Sequence, residues 1–164
     1  MRTLTTILIL FFSFYLWGQS TIPAWGQERI NKLLDKYSLT DFLKPQYLEA
    51  DFSGDNTVDL ALLIERKTDK KKGLIILFKE NHKYFIMGAG DKVKNGGDDF
   101  KWADSWEIFT NKQTYETTFK ENGDIDGERN VKLDRPAIKI REQEGSGGLL
   151  YFDGEQFIWI HQGD

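Results

Sequence analysis

Residues 58–65 read Val-Asp-Leu-Ala-Leu-Leu-Ile-Glu, and this run constrains the fold more than any other stretch of the chain. A strand with one wet face alternates apolar and polar residues. From Leu60 to Ile64 both parities are apolar, so both faces of such a strand must be covered. The run is short for a helix and rich in strand formers, which predicts a central strand. The chain around it, at 164 residues, is one domain by size and long enough to enclose a sizeable core.

The flanking sequence supplies partners for that strand. Residues 47–50 read as a short strand before it. Residues 74–79 and 84–87 follow as an antiparallel pair around the Asn81-His82 turn. Residues 66–73 form a polar, basic hairpin connection. Further on, residues 114–119, 137–142, 149–152 and 156–161 carry strand patterns, with Asp153-Gly154 suited to a tight type I′ turn. Twelve Phe, six Tyr and five Trp reinforce the β-leaning composition. Near the start, Ile30, Leu33, Leu34 and Tyr37 fall at i, i+3, i+4 and i+7, predicting an amphipathic helix over residues 27–37. Residues 38–41 fit a capping box for a second brief turn that Pro45 stops. The expected class is α+β, mainly antiparallel β. Eight or nine strands form a twisted meander sheet, or two packed meanders, with the N-terminal helix laid on one face.

Immediately before the apolar run lies Asp51-Phe-Ser-Gly-Asp-Asn-Thr-Val-Asp59. Oxygen-bearing side chains stand at Asp51, Ser53, Asp55 and Asp59, and Thr57 offers a carbonyl between them. This is the alternate-residue spacing by which a tight loop turns oxygens towards one hard cation, most often calcium. Three carboxylates in nine residues also repel one another unless positive charge sits among them. Asn56 holds the sharp-turn position and tolerates a left-handed backbone. Leu62 stands where an EF-hand would place its bidentate Glu, so Asp59 must close the site. The loop resembles the calcium loop of FG-GAP and VCBS-type repeats, matching Asp51, Phe52, Gly54, Asp55, Asp59, Leu60 and Ala61, with Ser53 in place of the usual Asn or Asp. The resemblance is limited to residues 51–61. It implies calcium as the cofactor and Asp51, Ser53, Asp55, Thr57 and Asp59 as the ligand set. An acidic turn whose Asp side chains bond nearby amides is the alternative without metal. Residues 122–130 repeat the spacing more weakly with Asn122, Asp124, Asp126, Glu128 and Asn130, where a hairpin turn seeded by Asn122-Gly123 explains the same residues.

The first twenty residues carry an address rather than fold. Arg2 precedes an almost unbroken apolar run over residues 4–17, and Gly18-Gln19-Ser20 follows. The run is shorter than the roughly 20 apolar residues a spanning helix needs, so a signal peptide is expected over 1–20 and a stable membrane anchor is not. A single β-rich domain over 21–164 and a periplasmic or secreted location follow. Cysteine is absent, which excludes disulfides, thiolate metal sites and a Cys nucleophile. The formal charge of −4 gives a nucleic-acid partner no electrostatic support.

Catalytic machinery is hard to assemble from what remains. His82 and His161 are the only histidines, no His-Glu-x-x-His motif exists, and Ser146 lacks a Gly-x-Ser-x-Gly elbow. Nothing selects a catalytic pair from Glu107, Glu116, Glu142 and Glu144. The glycines of residues 88–99 make no Walker pattern, which leaves that segment as a surface loop. Trp102 and Trp106 suit either the core or a stacking surface. The sequence thus points to an exported, non-enzymatic module that binds a protein or a glycan and carries a calcium-type Asp loop. The alternative is a periplasmic inhibitor or immunity protein directed at a toxin or a lysozyme-like enzyme.

Overall fold

The structure, a computed structural model, describes residues 21–163. The expected signal peptide over 1–20 lies outside the described residues. The architecture is mostly antiparallel β-sheet with one short helix, α1, Ala24–Asn31.

The first sheet is built on the apolar run. Strand β3, Asp59–Arg66, pairs along one edge with β4, Lys72–Leu77, which in turn pairs with β5, Tyr84–Gly88. Two short strands share the other edge of β3: β1, Tyr37–Leu39, opposite its end, and β2, Tyr47–Ala50, opposite its start. Side chains alternate as the pleat requires. Ala61, Leu63, Leu74, Ile76 and Phe78 point into one cluster, while Leu60, Leu62, Ile64, Ile75 and Leu77 point into another. The predicted double coverage of residues 60–64 is therefore met by two different cores. All five are fully buried.

The second sheet has the order β11-β10-β9-β6, formed by β6 (Ser105–Phe109), β9 (Ala137–Arg141), β10 (Gly147–Phe152) and β11 (Phe157–Gln162). Its inner residues Trp106, Ile138, Ile140, Leu150, Phe152, Phe157 and Trp159 join the first cluster, so the two sheets close on a common core. Phe100 is fully buried there, and the half-buried Trp102 packs against the same cluster from its rim. Between β6 and β9 the chain makes a separate hairpin, β7 (Gln113–Phe119) and β8 (Ile125–Lys132). Val131 and Leu133 from this excursion pack with Ala137, Leu149 and Ile160 on the outer side of the second sheet.

Several expectations need correction. The helical pattern over 27–37 is not one helix: α1 begins at Ala24, directly after Pro23, and ends at Asn31, and Tyr37 already belongs to β1. Residues 38–41 make no capped turn, because Ser38 and Leu39 pair with Glu65 and Ile64 instead. Phe152 pairs with Phe157, so the β10–β11 connection has four residues rather than a two-residue type I′ turn. Asp153 Oδ1 holds that loop by accepting the amides of Glu155 and Gln156. Segment 88–99 is fastened to the first sheet. Asp99 accepts the Lys72 amide at 3.0 Å, Asp98 pairs with Lys71, and Ala89 and Val93 are buried.

Candidate functional site

The acidic loop joins β2 to β3 and closes on itself. Gly54 and Asn56 take φ values of +81° and +68°, the left-handed conformation that Gly and Asn tolerate best. These two reversals wrap the backbone round Asp51. Asp51 Oδ1 accepts the amides of Gly54 at 2.6 Å and Asp55 at 3.0 Å, and Oδ2 accepts that of Asn56 at 2.9 Å. Asp55 Oδ1 accepts the Thr57 amide at 2.8 Å. The Ser53 hydroxyl lies 3.4 Å from Asp51 Oδ1. Phe52, fully buried in the shared core, anchors the start of the loop.

Asp59 lies differently from the other carboxylates. It is fully buried, and its two oxygens accept the amides of Ser53 at 2.8 Å and Lys79 at 3.0 Å. The carboxylate thereby ties the loop to the chain leaving β4. Burial pushes its pKa above the usual carboxylate value, and the two amide bonds oppose that shift. Arg135 reaches the loop from outside, its Nη1 donating to the Ser53 carbonyl at 2.6 Å. The guanidinium also packs against Gly54 and lies 5.7 Å from the centre of the Phe152 ring. Arg135 comes from the connection into β9, so this contact bridges the two sheets across the loop.

The donor set fits a calcium ion in part. Asp51, Ser53, Asp55 and Thr57 belong to one turn with the required left-handed bend at Asn56. Among the described residues, however, no three Asp, Glu, His or Cys side chains gather at one point that would hold a metal. Backbone amides already engage both oxygens of Asp51 and of Asp59 and one of Asp55.

The weaker repeat does not form a loop. Asn122, Gly123 and Asp124 make the β7–β8 turn, with Asn122 Oδ1 accepting the Asp124 amide at 3.1 Å. Asp126, Glu128 and Asn130 lie within β8. Alternate residues of a strand stand about 6.6 Å apart, so those side chains spread out instead of surrounding an ion.

The groups considered for catalysis are dispersed. His161 packs on Phe119 at 5.2 Å, and His82 sits in the β4–β5 turn with its carbonyl bound by Arg29. Glu107 pairs with Lys139 at 3.0 Å, and Glu116 with Arg129 at 2.5 Å, as surface ion pairs. No described helix is long and apolar enough to cross a membrane.

Arg135 is the residue sequence reasoning missed. It stands in Asp-Arg-Pro and reaches a partner 82 positions away, and no local pattern marks it. Comparison of the chain with protein-family models, with curated proteins and with solved structures finds no match.

Proposed function

We propose that the protein is an exported, non-enzymatic β-module that binds a protein or a glycan, with residues 51–59 as a calcium-responsive brace and α1 as the cover on the outer face of the first sheet. The observation that carries this reading is the loop's position. It is wound round Asp51, pinned at both ends by Phe52 and Asp59, and clasped by Arg135 where the two sheets meet. A feature so placed stiffens a scaffold. Asp51, Ser53, Asp55 and the Thr57 carbonyl are the groups that would hold calcium, while Asp59, expected to close the site, has both oxygens engaged by the Ser53 and Lys79 amides. Two carboxylates, one of them already accepting three amides, suit the weak extracellular range of roughly 0.1–1 mM, because affinity follows ligand charge.

Melting decides the calcium part. With about 5 mM calcium present, stability rises by roughly 1–2.3 kcal/mol over a chelator control, through mass action on the folded state. Asp55→Ala abolishes that rise while the protein still folds. Identical melting in calcium and chelator defeats the metal assignment and leaves a brace made of amides and Arg135. The inhibitor reading draws on the exposed tip at Gly54, Asp55 and Asn56 beside the 51 % exposed Val58. Inhibition of a lysozyme-like enzyme that Asp55→Ala removes would select it.

A further inference from the structure

We propose that the open edge of β5 takes up an extended acidic segment of a partner protein as an additional strand. The inference rests on the binding-module reading and assigns it a surface and a partner chemistry.

Strand β5 ends the first sheet: β4 occupies one side, and no described strand pairs with the other. The register identifies which backbone groups face outward. Phe78 N–H donates to Lys83 O at 2.9 Å, and Ala89 N–H donates to Lys72 O at 2.9 Å, at the two ends of the β4–β5 ladder. Antiparallel ladders alternate in steps of two. Phe85 and Met87, opposite Ile76 and Leu74, therefore exchange bonds with β4, while Tyr84 and Ile86 turn their N–H and C=O groups to the open side. Beyond them, the Gly88 carbonyl accepts the Asp91 amide at 2.9 Å and closes that end.

Proteins usually blunt such an edge with charges, a proline or a bulge. Tyr-Phe-Ile-Met-Gly contains none of these, and its pairing with β4 is regular. Tyr84 is 50 % exposed. A groove borders each face of the strand. One, of about 700 Å³, lies beside Leu33, Tyr37, Tyr84 and Ile86. The other, of about 450 Å³, lies beside Phe85, Met87, Phe157 and Trp159. An added strand points successive side chains to opposite faces, so its residues enter the two grooves in turn. Main-chain bonds then supply affinity, and the grooves supply selection.

Charge identifies the occupant. Arg129 and Glu116 at the second groove neutralise each other. In the first groove Lys32 and Lys36 are balanced by Asp35 and Asp91, while in the second Lys92 and Lys94 have no carboxylate against them and leave a local charge of +2. The neighbouring Glu28 lies 3.8 Å from Lys32 in a pair open to solvent, which changes this little. The whole chain is −4. A second copy brings no acidic side chain from its own β5, whereas a strand with carboxylates on one face complements Lys92 and Lys94 in the second groove and lays its apolar face on the neutral first one.

The test titrates the full chain with labelled peptides of about eight residues that alternate valine with glutamate, or valine with lysine. The glutamate peptide is expected to bind roughly tenfold more tightly than the lysine peptide at low salt. It also slows hydrogen exchange at the Tyr84 and Ile86 amides. Tyr84→Pro removes an outward N–H that β4 does not use, a change tolerated at the first residue of an edge strand. This variant should melt as the parent does and lose the peptide. Lys92→Glu combined with Lys94→Glu should reverse the preference between peptides. Absence of binding near 1 mM, equal affinity for both peptides, or binding unchanged in Tyr84→Pro overturns the proposal. So does concentration-dependent dimerisation that Tyr84→Pro abolishes, which makes a second copy the occupant. Glycan or protein binding that survives in Tyr84→Pro overturns the edge site alone and leaves the module reading standing.

Discussion

Residues 51–59 and 122–130 both carry oxygen-bearing side chains at every second position, and their backbones take opposite courses. In the first, Gly54 and Asn56 reverse the chain twice within three residues, and amides turn inward to Asp51. In the second, the left-handed residue Gly123 serves the turn, and after a bulge at Asp126 the chain runs extended in register with β7 from Gly127 onward. The anchors explain the difference. Phe52 and Asp59 are both fully buried, so the first stretch must return within seven residues to fixed points in the core. Almost every residue of β8 is open to solvent, and its backbone bonds go to the neighbouring strand. Spacing states which atoms are available. Burial at the two ends decides whether they converge.

The contrast can be broken at its anchors. Phe52→Ala is expected to have the largest effect, a loss of roughly 3–5 kcal/mol measured by urea unfolding, because it empties a fully packed core position. Asp59→Asn comes next, at about 1–3 kcal/mol, since an amide nitrogen cannot accept from the backbone N–H it would face. The cost of this substitution depends on pH. Burial raises the folded pKa of Asp59 above its ordinary 3.8, so its contribution to stability is full below that value and is lost as pH rises through the folded pKa. The gap between parent and Asp59→Asn should therefore be wider in mild acid than at neutrality. A gap that widens towards neutrality contradicts the assigned direction. The smallest effect belongs to the other stretch. Asp124→Ala should change stability by no more than about 0.5 kcal/mol and leave any calcium-dependent rise in place.

How far the sequence discloses the molecule depends on how local each cause is. The central strand is legible because coverage of both faces is written into consecutive residues 60–64. The tight turn at 54–56 is legible for the same reason, since Gly and Asn mark their own backbone geometry. The helical pattern through Leu33, Leu34 and Tyr37 misleads in an instructive way. All three residues do pack into the same cluster as Ile30, but from a turn and a strand rather than from one continuous helix. Periodicity records burial, and different backbones can deliver the same burial. The Arg135 clasp and the bonding of Asp59 to the Lys79 amide arise only when distant segments meet, so neither leaves a local trace.

The β7–β8 hairpin carries one further consequence. Phe109 and Ala137, which flank it, are register partners in adjacent strands, so the chain departs from the second sheet and rejoins it at a single doorway. Ladder bonds on either side are indifferent to how many residues lie outside. What the detour must provide is a waterproof patch from Val131 and Leu133 over Leu149 and Ile160, together with the contacts of Thr114, Tyr115 and Phe119 to Gln162 and His161 of β11. Beyond those contacts, the exposed turn at Asn122–Asp124 is the place where the protein can lengthen or acquire a foreign loop while the rest of its architecture is inherited unchanged.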